Sequence, residues 1–419
     1  MDTNIGAKER VTQNRLIGLF KNVLKYTYLG NWETREDNAN IEEKLLTAYL
    51  SRRGYTDKEI RSSIVKLKQS ANSLGGGLYN ANKEVYTFLR YGVNIQAEVT
   101  EKKKMVHLID WANPMENDFQ IAEEVTIQGA SDRRPDLVVY VNGIALAVIE
   151  LKRSTVSAHE GIRQNIRNQQ DGYIPRFFTT IQLLFAGNDT EGLHYGVIKT
   201  PEKFWLRWKE PCGEPCQPSH FTAKEYPNEL DRSVLQFFEP VRLLEYIHDF
   251  IIFDGGIKKT ARPNQYFAVK AAQPRVRKKQ NGIIWHSQGS GKSLTMVWLA
   301  QWIRENVSDA RVVIITDRDE LDKQIESGFK DVGEQIQRAK SGGKLIEMLN
   351  AAEPWLICTL IHKFGNKNDG DAISVGNKKA SKSLDLYLEE LAKSLPADFR
   401  AKGNICLLYT SPSPRDRTR

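Results

Sequence analysis

The chain has 419 residues, a net charge of +8 and four cysteines, and 40% of its residues are hydrophobic. These values predict two or three globular domains in a reducing compartment, and they exclude a disordered protein or one built on disulfides. The positive charge favours a polyanionic partner. Since the sequence shows neither a signal peptide nor an apolar run of membrane-spanning length, we expect a cytoplasmic protein with no membrane partner.

The first part of the chain is predicted to contain helices and then strands, because its apolar residues recur first at helical and later at strand spacing. The predicted helices cover residues 8–30 (running into a loop), 41–53 and 57–70, and the predicted strands cover 94–99, 105–110, 121–127, 136–141 and 144–151. A helix over 158–170 and a strand over 181–186 follow. We expect this first domain to comprise residues 1–235.

A cluster of charged residues marks the ends of two of these strands. Asp136 follows Arg134-Pro135 and opens one strand, and Glu150 and Lys152 end the next one. That next strand contains the apolar run Ile144–Ile149, so it is predicted to be central and buried. Two acids and a lysine at such a strand end are costly unless a hard cation is bound, and Mg²⁺ suits carboxylate ligands. The alternative is a salt bridge at a strand end.

The register of the hairpin decides whether the two acids meet. A two-residue loop at Asn142-Gly143 would pair Asp136 with Ile149 and place Asp136 on the face opposite to Glu150. A three-residue loop over residues 141–143 would shift the pairing by one residue and place both acids and Lys152 on one face. The glycine suits the left-handed position that ends a three-residue loop, so the longer loop is the predicted one.

Beyond residue 235, a helix predicted at 241–250 is followed by strands at 283–285, 312–316 and 355–360, separated by helices. This alternation is typical of a parallel sheet that is covered on both faces. The expected fold class is therefore α/β, with a mixed-sheet domain followed by a partial parallel-sheet domain over residues 236–404.

The most specific motif lies between the strand at 283–285 and a helix predicted over 292–306. It reads His286-Ser287-Gln288-Gly289-Ser290-Gly291-Lys292-Ser293. A strand that leads through glycines into a helix N-terminus directs main-chain N–H groups at an anion, and here Lys292 would reach the β- and γ-phosphates while Ser293 would hold Mg²⁺. His286 replaces the first glycine of the strict pattern. A lysine-capped turn in another kind of α/β protein is the alternative.

The motifs of both regions resemble one family, the restriction (R) subunit of type I restriction–modification enzymes. That subunit joins a nuclease domain of the PD-(D/E)xK class to a superfamily 2 DNA translocase, whose motor domains are RecA-like. The resemblance extends from about Glu9 to about Asn404. It rests on the order and spacing of Glu9-Arg10-Val11-Thr12-Gln13, Arg134-Pro135-Asp136, Glu150-Leu151-Lys152, Gln169-x-x-x-Tyr173, Asn264-Gln265-Tyr266-Phe267-Ala268, the glycine-rich motif at 285–293, and Thr316-Asp317-Arg318-Asp319-Glu320-Leu321.

The resemblance implies roles for residues of the first domain. Asp136 and Glu150 would bind Mg²⁺, and Lys152 would be the catalytic lysine. Gln169 and Tyr173 would help to place the DNA. A further carboxylate from an early helix, Glu42 or Glu43, is expected to join this site, and the sequence does not decide between the two.

It also implies an ATP site in the second domain and particular partners. Gln265 would read the adenine, residues 288–293 would form the phosphate loop, and residues 316–318 and 359–364 match motifs near the DNA track. The implied cofactors are ATP and Mg²⁺. The implied partners are double-stranded DNA and the methylation and DNA-specificity subunits of the same system, and the family cuts DNA after ATP-driven translocation.

Two other functions remain open at this stage: a DNA repair or replication helicase with an attached nuclease, and a non-catalytic assembly module that keeps the fold without the chemistry. Cys212, Cys216 and His220 could suggest zinc, but a structural zinc site needs four ligands, and three prolines favour an irregular loop. The basic run at 275–279 is interpreted as a solvated loop rather than a DNA contact.

The last residues of the chain do not fit the expected domain. The family would continue after Asn404 with an apolar strand that ends in an acidic Walker B motif, whereas residues 406–416 read like the translation of a transposase-based sequencing adapter. Residues 405–419 are therefore interpreted as an artefact, and a native disordered tail is the alternative. On this interpretation we expect these residues to make few contacts and the strands at 312–316 and 355–360 to lack a neighbour.

Overall fold

The computed structural model describes residues 5–96, 104–211, 220–287, 289–316, 326, 329–330, 335–339, 342–351, 353–360 and 403–410. It divides into two compact units, Met1–Asn264 and Gln265–Arg419. The boundary expected near residue 235 is therefore too early. Two helices and a hairpin that follow residue 228 pack within the first unit.

The first unit contains the predicted helices and strands in the predicted order, together with two helices, at 77–91 and 229–238, and several short strands that were not predicted. In chain order they are α1 (Ile5–Asn22), β1 (Thr27–Asn31), α2 (Glu43–Arg52), α3 (Asp57–Asn72), α4 (Gly77–Tyr91), β2 (Val93–Ile95), β3 (Lys104–Val106), β4 (Phe119–Glu123), β5 (Leu137–Val141), β6 (Ile144–Leu151), α5 (Ala158–Asn168), β7 (Leu183–Asn188), β8 (Gly192–Gly196), β9 (Leu206–Arg207), α6 (Glu229–Phe238), α7 (Pro240–Asp249), β10 (Ile251–Asp254) and β11 (Ile257–Thr260).

A mixed sheet with the order β1-β4-β5-β6-β7-β8-β9 forms the centre of this unit. Strands β6 and β7 are parallel, as are β1 and β4, and the other neighbours are antiparallel. All eight residues of β6 are buried, which confirms that the apolar run predicts a central strand. One face of the sheet packs on α5 through a core that includes Val138, Val148 and Ile162.

The hairpin between β5 and β6 has a two-residue loop, so the predicted three-residue loop is wrong. Val141 pairs with Ile144, and Asn142 and Gly143 both have positive φ, as a type I′ turn requires. The register shifts by one residue after Tyr140, so that Leu137 pairs with Ile149. Because of this β-bulge, Asp136 and Glu150 lie on one face of the sheet, as the longer loop was expected to ensure. The pair that follows Leu137 and Ile149 outward is Asp136 opposite Glu150.

Buried polar contacts explain why the segment after residue 228 belongs to the first unit. The hydroxyl of Tyr195 on β8 donates to the carbonyl of Ala261 at 2.8 Å, and Tyr246 on α7 donates to the same carbonyl. Lys258 on β11 is only 3% exposed and donates to Gln182 at 2.6 Å and to Asn82 at 2.8 Å. Burial holds the pKa of the Lys258 amine well below its usual range.

The second unit has a parallel sheet and helices, which confirms the predicted fold class of a mixed sheet followed by a parallel one. Its elements are α8 (Pro263–Arg277, which begins at the boundary), α9 (Lys292–Asn306), β12 (Ala310–Thr316), β13 (Gln337–Arg338), α10 (Gly342–Asn350), β14 (Leu356–Leu360) and β15 (Asn404–Thr410). The strand order is β13-β14-β12-β15, with every pair parallel. The buried Arg311 guanidinium binds the carbonyls of Met348 and Leu349 and thereby caps the end of α10.

Residues 282–285 do not form the buried strand that was predicted. Ile283 is 90% exposed and Trp285 is 81% exposed, and the segment has no strand pairing. An apolar run becomes a buried strand only where neighbouring strands satisfy its main chain, and no described strand of the second unit pairs with this segment. The apolar composition of these residues therefore led to a wrong strand prediction.

The expectation of an unpaired sheet edge beside β12 is also wrong. Residues 404–410 form β15, which pairs in parallel with all seven residues of β12. The pairing uses main-chain groups that any sequence can supply, so backbone complementarity is sufficient for it. The outward side chains remain accessible, since Ile405, Leu407 and Tyr409 are 37%, 47% and 42% exposed. The contacts of this segment are thus more extensive than expected.

We predict that Gly143→Ala destabilises the first unit by about 2–4 kcal/mol. A Cβ at this position would lie 2.6 Å from Leu45 Cβ and 2.8 Å from the Glu42 carbonyl, and the residue has φ +80°. Urea unfolding measures the loss. Gly18→Ala is the matched control: it lies in α1 with nothing within 4 Å of the added Cβ, and we expect it to be neutral or slightly stabilising. Equal stability of the two variants would contradict the described turn.

Candidate functional site

Asp136 and Glu150 lie on the same face of the central sheet. Val138 and Val148 belong to one core cluster on that face, and alternation along each strand places Asp136 and Glu150 beside them. The main-chain N–H of Leu151 donates to the Asp136 carboxylate at 2.6 Å. This hydrogen bond holds the side chain at the start of β5 against the end of β6.

Glu150 is fully buried at the end of β6, beneath α5. A Cβ added to Gly161 of α5 would lie 3.3 Å from Glu150 Cβ, so a glycine allows the helix to approach the carboxylate closely. Lys152 lies just beyond the strand, where its N–H donates to the Gly187 carbonyl at 3.0 Å and its Nζ donates to the Leu151 carbonyl at 2.7 Å. The strand end thus brings together a buried carboxylate, a second carboxylate and an amine.

The side chain of Gln169 makes hydrogen bonds within the protein. Its Nε2 donates to the Asn165 carbonyl at 2.9 Å, and its Oε1 accepts from the N–H of Lys199 at 2.7 Å. Lys199 has a φ of +59°, so this hydrogen bond supports a main-chain conformation that residues other than glycine rarely adopt. The geometry indicates a role for Gln169 in fixing the loop that carries Lys199.

Tyr173 packs against the segment that leads into Asp136. The Arg133 guanidinium lies 4.2 Å from the centre of the Tyr173 ring, and the Ala130 N–H donates to the Tyr173 carbonyl at 3.1 Å. Cation–π stacking of this kind orients both side chains. Tyr173 therefore connects the loop after α5 with the segment that leads into β5.

Neither Glu42 nor Glu43 joins this site, so that expectation is wrong. Glu42 accepts two hydrogen bonds from Arg35, at 3.1 and 2.6 Å, and its N–H binds the Gly143 carbonyl at the opposite end of β6 from Glu150. Glu43 forms an ion pair with Lys68. Eight residues of extended strand separate the two ends by about 25 Å, because each residue advances the chain by about 3.3 Å.

Two other carboxylates, Glu123 and Glu124, lie next to Asp136 and were not identified from the sequence. Glu123 pairs with Leu137 across β4 and β5, and the Glu124 N–H donates to the Asp136 carbonyl at 2.9 Å. The hydroxyl of Tyr28 donates to Glu123 at 2.6 Å, and burial together with this bond raises the pKa of Tyr28 to about 12. The only sequence signal was two adjacent acids inside the strand predicted over 121–127.

The glycine-rich loop of the second unit leads into α9 as predicted. Gly289 and Gly291 have φ values of +76° and +82°, and Gly291 is the N-cap of α9. The helix begins at Lys292, whose Nζ lies 3.5 Å from the His286 carbonyl, and Ser293 follows in the first turn. Ser290 lies between the two glycines, whereas Gln288 lies outside the described residues.

Gln265 lies against this loop. Its Nε2 donates to the Gly291 carbonyl at 2.9 Å, and a Cβ at position 291 would lie 2.2 Å from the same nitrogen. Glycine is therefore required at 291 both by its φ and by the approach of Gln265. Of the expected DNA-track residues, Thr316 and residues 359–360 are described, and residues 317–318 and 361–364 lie outside the described residues.

These donors suit the two cofactors that the sequence implies. Carboxylate oxygens on adjacent strands, one of them fully buried, are the ligands that Mg²⁺ prefers. The N-terminus of a 15-residue helix, two glycines with positive φ and Lys292 are suited to bind a polyphosphate. Of the residues that could suggest zinc, Cys212 and Cys216 lie outside the described residues, and His220 stacks on Phe221.

The fold and sites define a protein with a mixed-sheet domain carrying clustered carboxylates, followed by a domain with a phosphate-loop motif. Residues 7–203 match the family model described as "Type I restriction enzyme R protein N terminus", and residues 264–393 match the one described as "SWI2/SNF2 ATPase". Over these residues the chain is similar to the R subunits of type I restriction enzymes in its first unit and to an ATPase family in its second.

Curated relatives agree with this assignment. An endonuclease subunit of type I restriction enzyme MjaIXP from Methanocaldococcus jannaschii, whose name gives the assignment as provisional, is 27% identical over 400 residues, which is 86% of this chain and 38% of the relative. The type I restriction enzyme SauMSSORF170P endonuclease subunit from Staphylococcus aureus is 25% identical over 291 residues, 67% of this chain and 30% of the relative. The chain thus spans about a third of the length of these relatives.

Among the described residues, no helix combines the length and the apolar character that crossing a bilayer requires.

We predict that Lys292→Ala weakens binding of a fluorescent ATP analogue to this chain by about tenfold to a hundredfold. The substitution removes charge-assisted hydrogen bonds to phosphate, each of which contributes about 1.5–3 kcal/mol. Fluorescence titration measures the change. Lys344→Ala, at an exposed position of α10, is the control for loss of one positive charge in the same unit. Equal affinity of the two variants would exclude the assignment of Lys292.

Proposed function

We propose that this chain provides the Mg²⁺-dependent DNA nuclease and the first part of the ATP-dependent motor of a type I restriction enzyme. The observation that carries the nuclease assignment is the placement of Asp136 and the fully buried Glu150 on one face at the end of β6, with Lys152 beside them. Similarity to type I restriction enzyme subunits supports the same activity, since those relatives are named as endonuclease subunits.

In this proposal the two carboxylates hold Mg²⁺, which would polarise the scissile phosphate and lower the pKa of a water molecule. The Leu151 N–H binds one carboxylate oxygen of Asp136 and so restricts the orientation of this side chain. Lys152 orients the attacking water and donates to the phosphate. Tyr173, stacked on Arg133, and Gln169, which supports the Lys199 loop, shape the surface that receives DNA.

The second unit is proposed to bind ATP through its glycine-rich loop. Lys292 and Ser293 would contact the phosphates and Mg²⁺, the main-chain N–H groups of 288–291 would surround the β-phosphate, and Gln265 would read the adenine. ATP-driven translocation along double-stranded DNA is proposed for the whole enzyme, in which this chain acts with the methylation and DNA-specificity subunits. A cytoplasmic location in a prokaryote is part of the same proposal.

We expect Asp136→Asn to lower the affinity of this chain for Mn²⁺, used as a probe of the Mg²⁺ site, at least tenfold. The substitution removes one of the two proposed carboxylate ligands, and loss of a hydrogen bond to a metal ligand alone costs about 10–100-fold. Isothermal titration calorimetry measures the change. In the complete restriction subunit, assembled with its partners, the same substitution should abolish DNA cleavage and leave ATP hydrolysis intact.

Glu84→Gln is the matched control, since it removes one carboxylate from an exposed position of α4 in the same unit. We expect it to retain metal binding and cleavage. Cleavage by the Asp136→Asn enzyme at the rate of the control would refute the assignment of the nuclease site.

A further inference from the structure

Asp136 is anchored at three points, and one of them comes from α1. Its carboxylate accepts from the Leu151 N–H at 2.6 Å, and its carbonyl accepts from the Glu124 N–H at 2.9 Å. The third contact is from Gln13, whose Nε2 lies 3.4 Å from the same carbonyl. The side-chain amide of α1 therefore contacts the main chain of the residue that is proposed to bind the metal.

Gln13 is 2% exposed, and its amide also donates to the Glu123 carboxylate at 3.0 Å. Glu123 in turn accepts from Tyr28 at 2.6 Å and lies 3.8 Å from the Arg10 guanidinium. These donors hold the Glu123 carboxylate in place, because burial of a carboxylate without hydrogen-bond donors costs free energy. Gln13 thus connects the Glu123 carboxylate on β4 with the main chain of Asp136, the residue just before β5.

The same helix holds the strand on the other side of β6. Arg15 forms an ion pair with Asp189, which follows β7, and donates to Asp231 of α6 at 3.0 Å. Thr12 donates to Asp189 at 3.4 Å. Because β7 pairs in parallel with β6 as far as Leu151, α1 contacts the strand ends on both sides of the proposed metal site.

The Glu124 side chain also restrains the segment around Asp136. Arg134, two residues before Asp136, contacts Glu124 at 2.7 Å, and Arg10 of α1 contacts Glu124 at 3.4 Å. The acid beside the Asp136 carbonyl is therefore bridged both to the hairpin and to α1. These contacts restrict the main chain at Asp136 before any ligand is bound.

We propose that Gln13 is a positioning residue of the nuclease site, which fixes the main chain of Asp136 so that its carboxylate meets Glu150 in metal-binding geometry. This inference rests on the proposed nuclease function. A metal ligand that is oriented in advance binds more tightly, and loss of an outer-shell hydrogen bond costs about 10–100-fold in metal affinity. Gln13 acts through Asp136 and has no contact with substrate in this scheme.

The test compares Mn²⁺ affinities of three variants of this chain by isothermal titration calorimetry, with thermal unfolding measured in parallel. Gln13→Met keeps the volume and removes both hydrogen bonds, and we expect Mn²⁺ affinity to fall about 10–100-fold. Asn14→Met, exposed on the same helix, is the matched control and should retain the parental affinity. Tyr28→Phe removes a donor from Glu123 but leaves both hydrogen bonds of Gln13, so it should lower stability and reduce the metal affinity less than Gln13→Met does.

Two further variants keep the test decisive. Gln13→Lys restores a donor for both acceptors and should recover most of the affinity. If Gln13→Met does not fold, Gln13→Asn replaces it, because its amide is one carbon too short to reach Glu123 and Asp136 together, and we expect the same loss.

The proposal is overturned if a folded Gln13→Met or Gln13→Asn variant binds Mn²⁺ like the Asn14→Met control, if Tyr28→Phe weakens binding as much as they do, or if Gln13→Lys fails to recover it. Asp136→Asn, measured in the same series, separates the two proposals. Parental affinity in Asp136→Asn would reject the metal site itself, whereas a loss in Asp136→Asn alone would reject only the role of Gln13.

Discussion

The organisation of the first unit depends on the burial of a carboxyl group at the end of a completely buried strand. Glu150 has no exposed surface, and transfer of a carboxylate from water into an apolar interior is costly without compensating interactions. The surrounding elements are arranged about this end of β6. The close approach of α5 at Gly161, the Leu151 N–H bound to Asp136, and the contacts of α1 with the flanking strand ends all occur there.

Much of the fold was predictable because burial leaves a periodic trace in sequence. The apolar run at 144–149 identified β6, and glycines before a lysine identified the start of α9. Residues 282–285 show the limit of this signal, since an apolar run does not reveal whether a partner strand is available, and Trp285 is 81% exposed. The domain boundary was misplaced for a related reason. The hydrogen bonds of Lys258 with Gln182 and of Tyr195 with the Ala261 carbonyl are long-range contacts between residues that look unremarkable in sequence.

The candidate site was predictable in its central residues and less so in its surroundings. Asp136, Glu150 and Lys152 were identified from their positions at strand ends, but the acids that lie beside them were not. The family resemblance implied that Glu42 or Glu43 would join the site, yet α2 begins at the far end of β6. Which carboxylates meet depends on the order of strands in the sheet, and strand order is set by long-range pairing that local periodicity does not encode.

The bulge in the β5–β6 hairpin has a consequence for motifs of this kind. Residues that face each other across a regular two-residue turn are always separated by an odd number of positions, whereas Asp136 and Glu150 are separated by an even number. A tight turn and a shared face are therefore compatible only if one strand contains an unmatched residue, as it does between Ala145 and Ala147. Whether the spacing between the two acids is odd or even therefore gives a simple check: an Asn-Gly turn together with an even spacing requires a bulge. A single residue inserted or deleted elsewhere in either strand would move one acid to the other face and leave the turn intact.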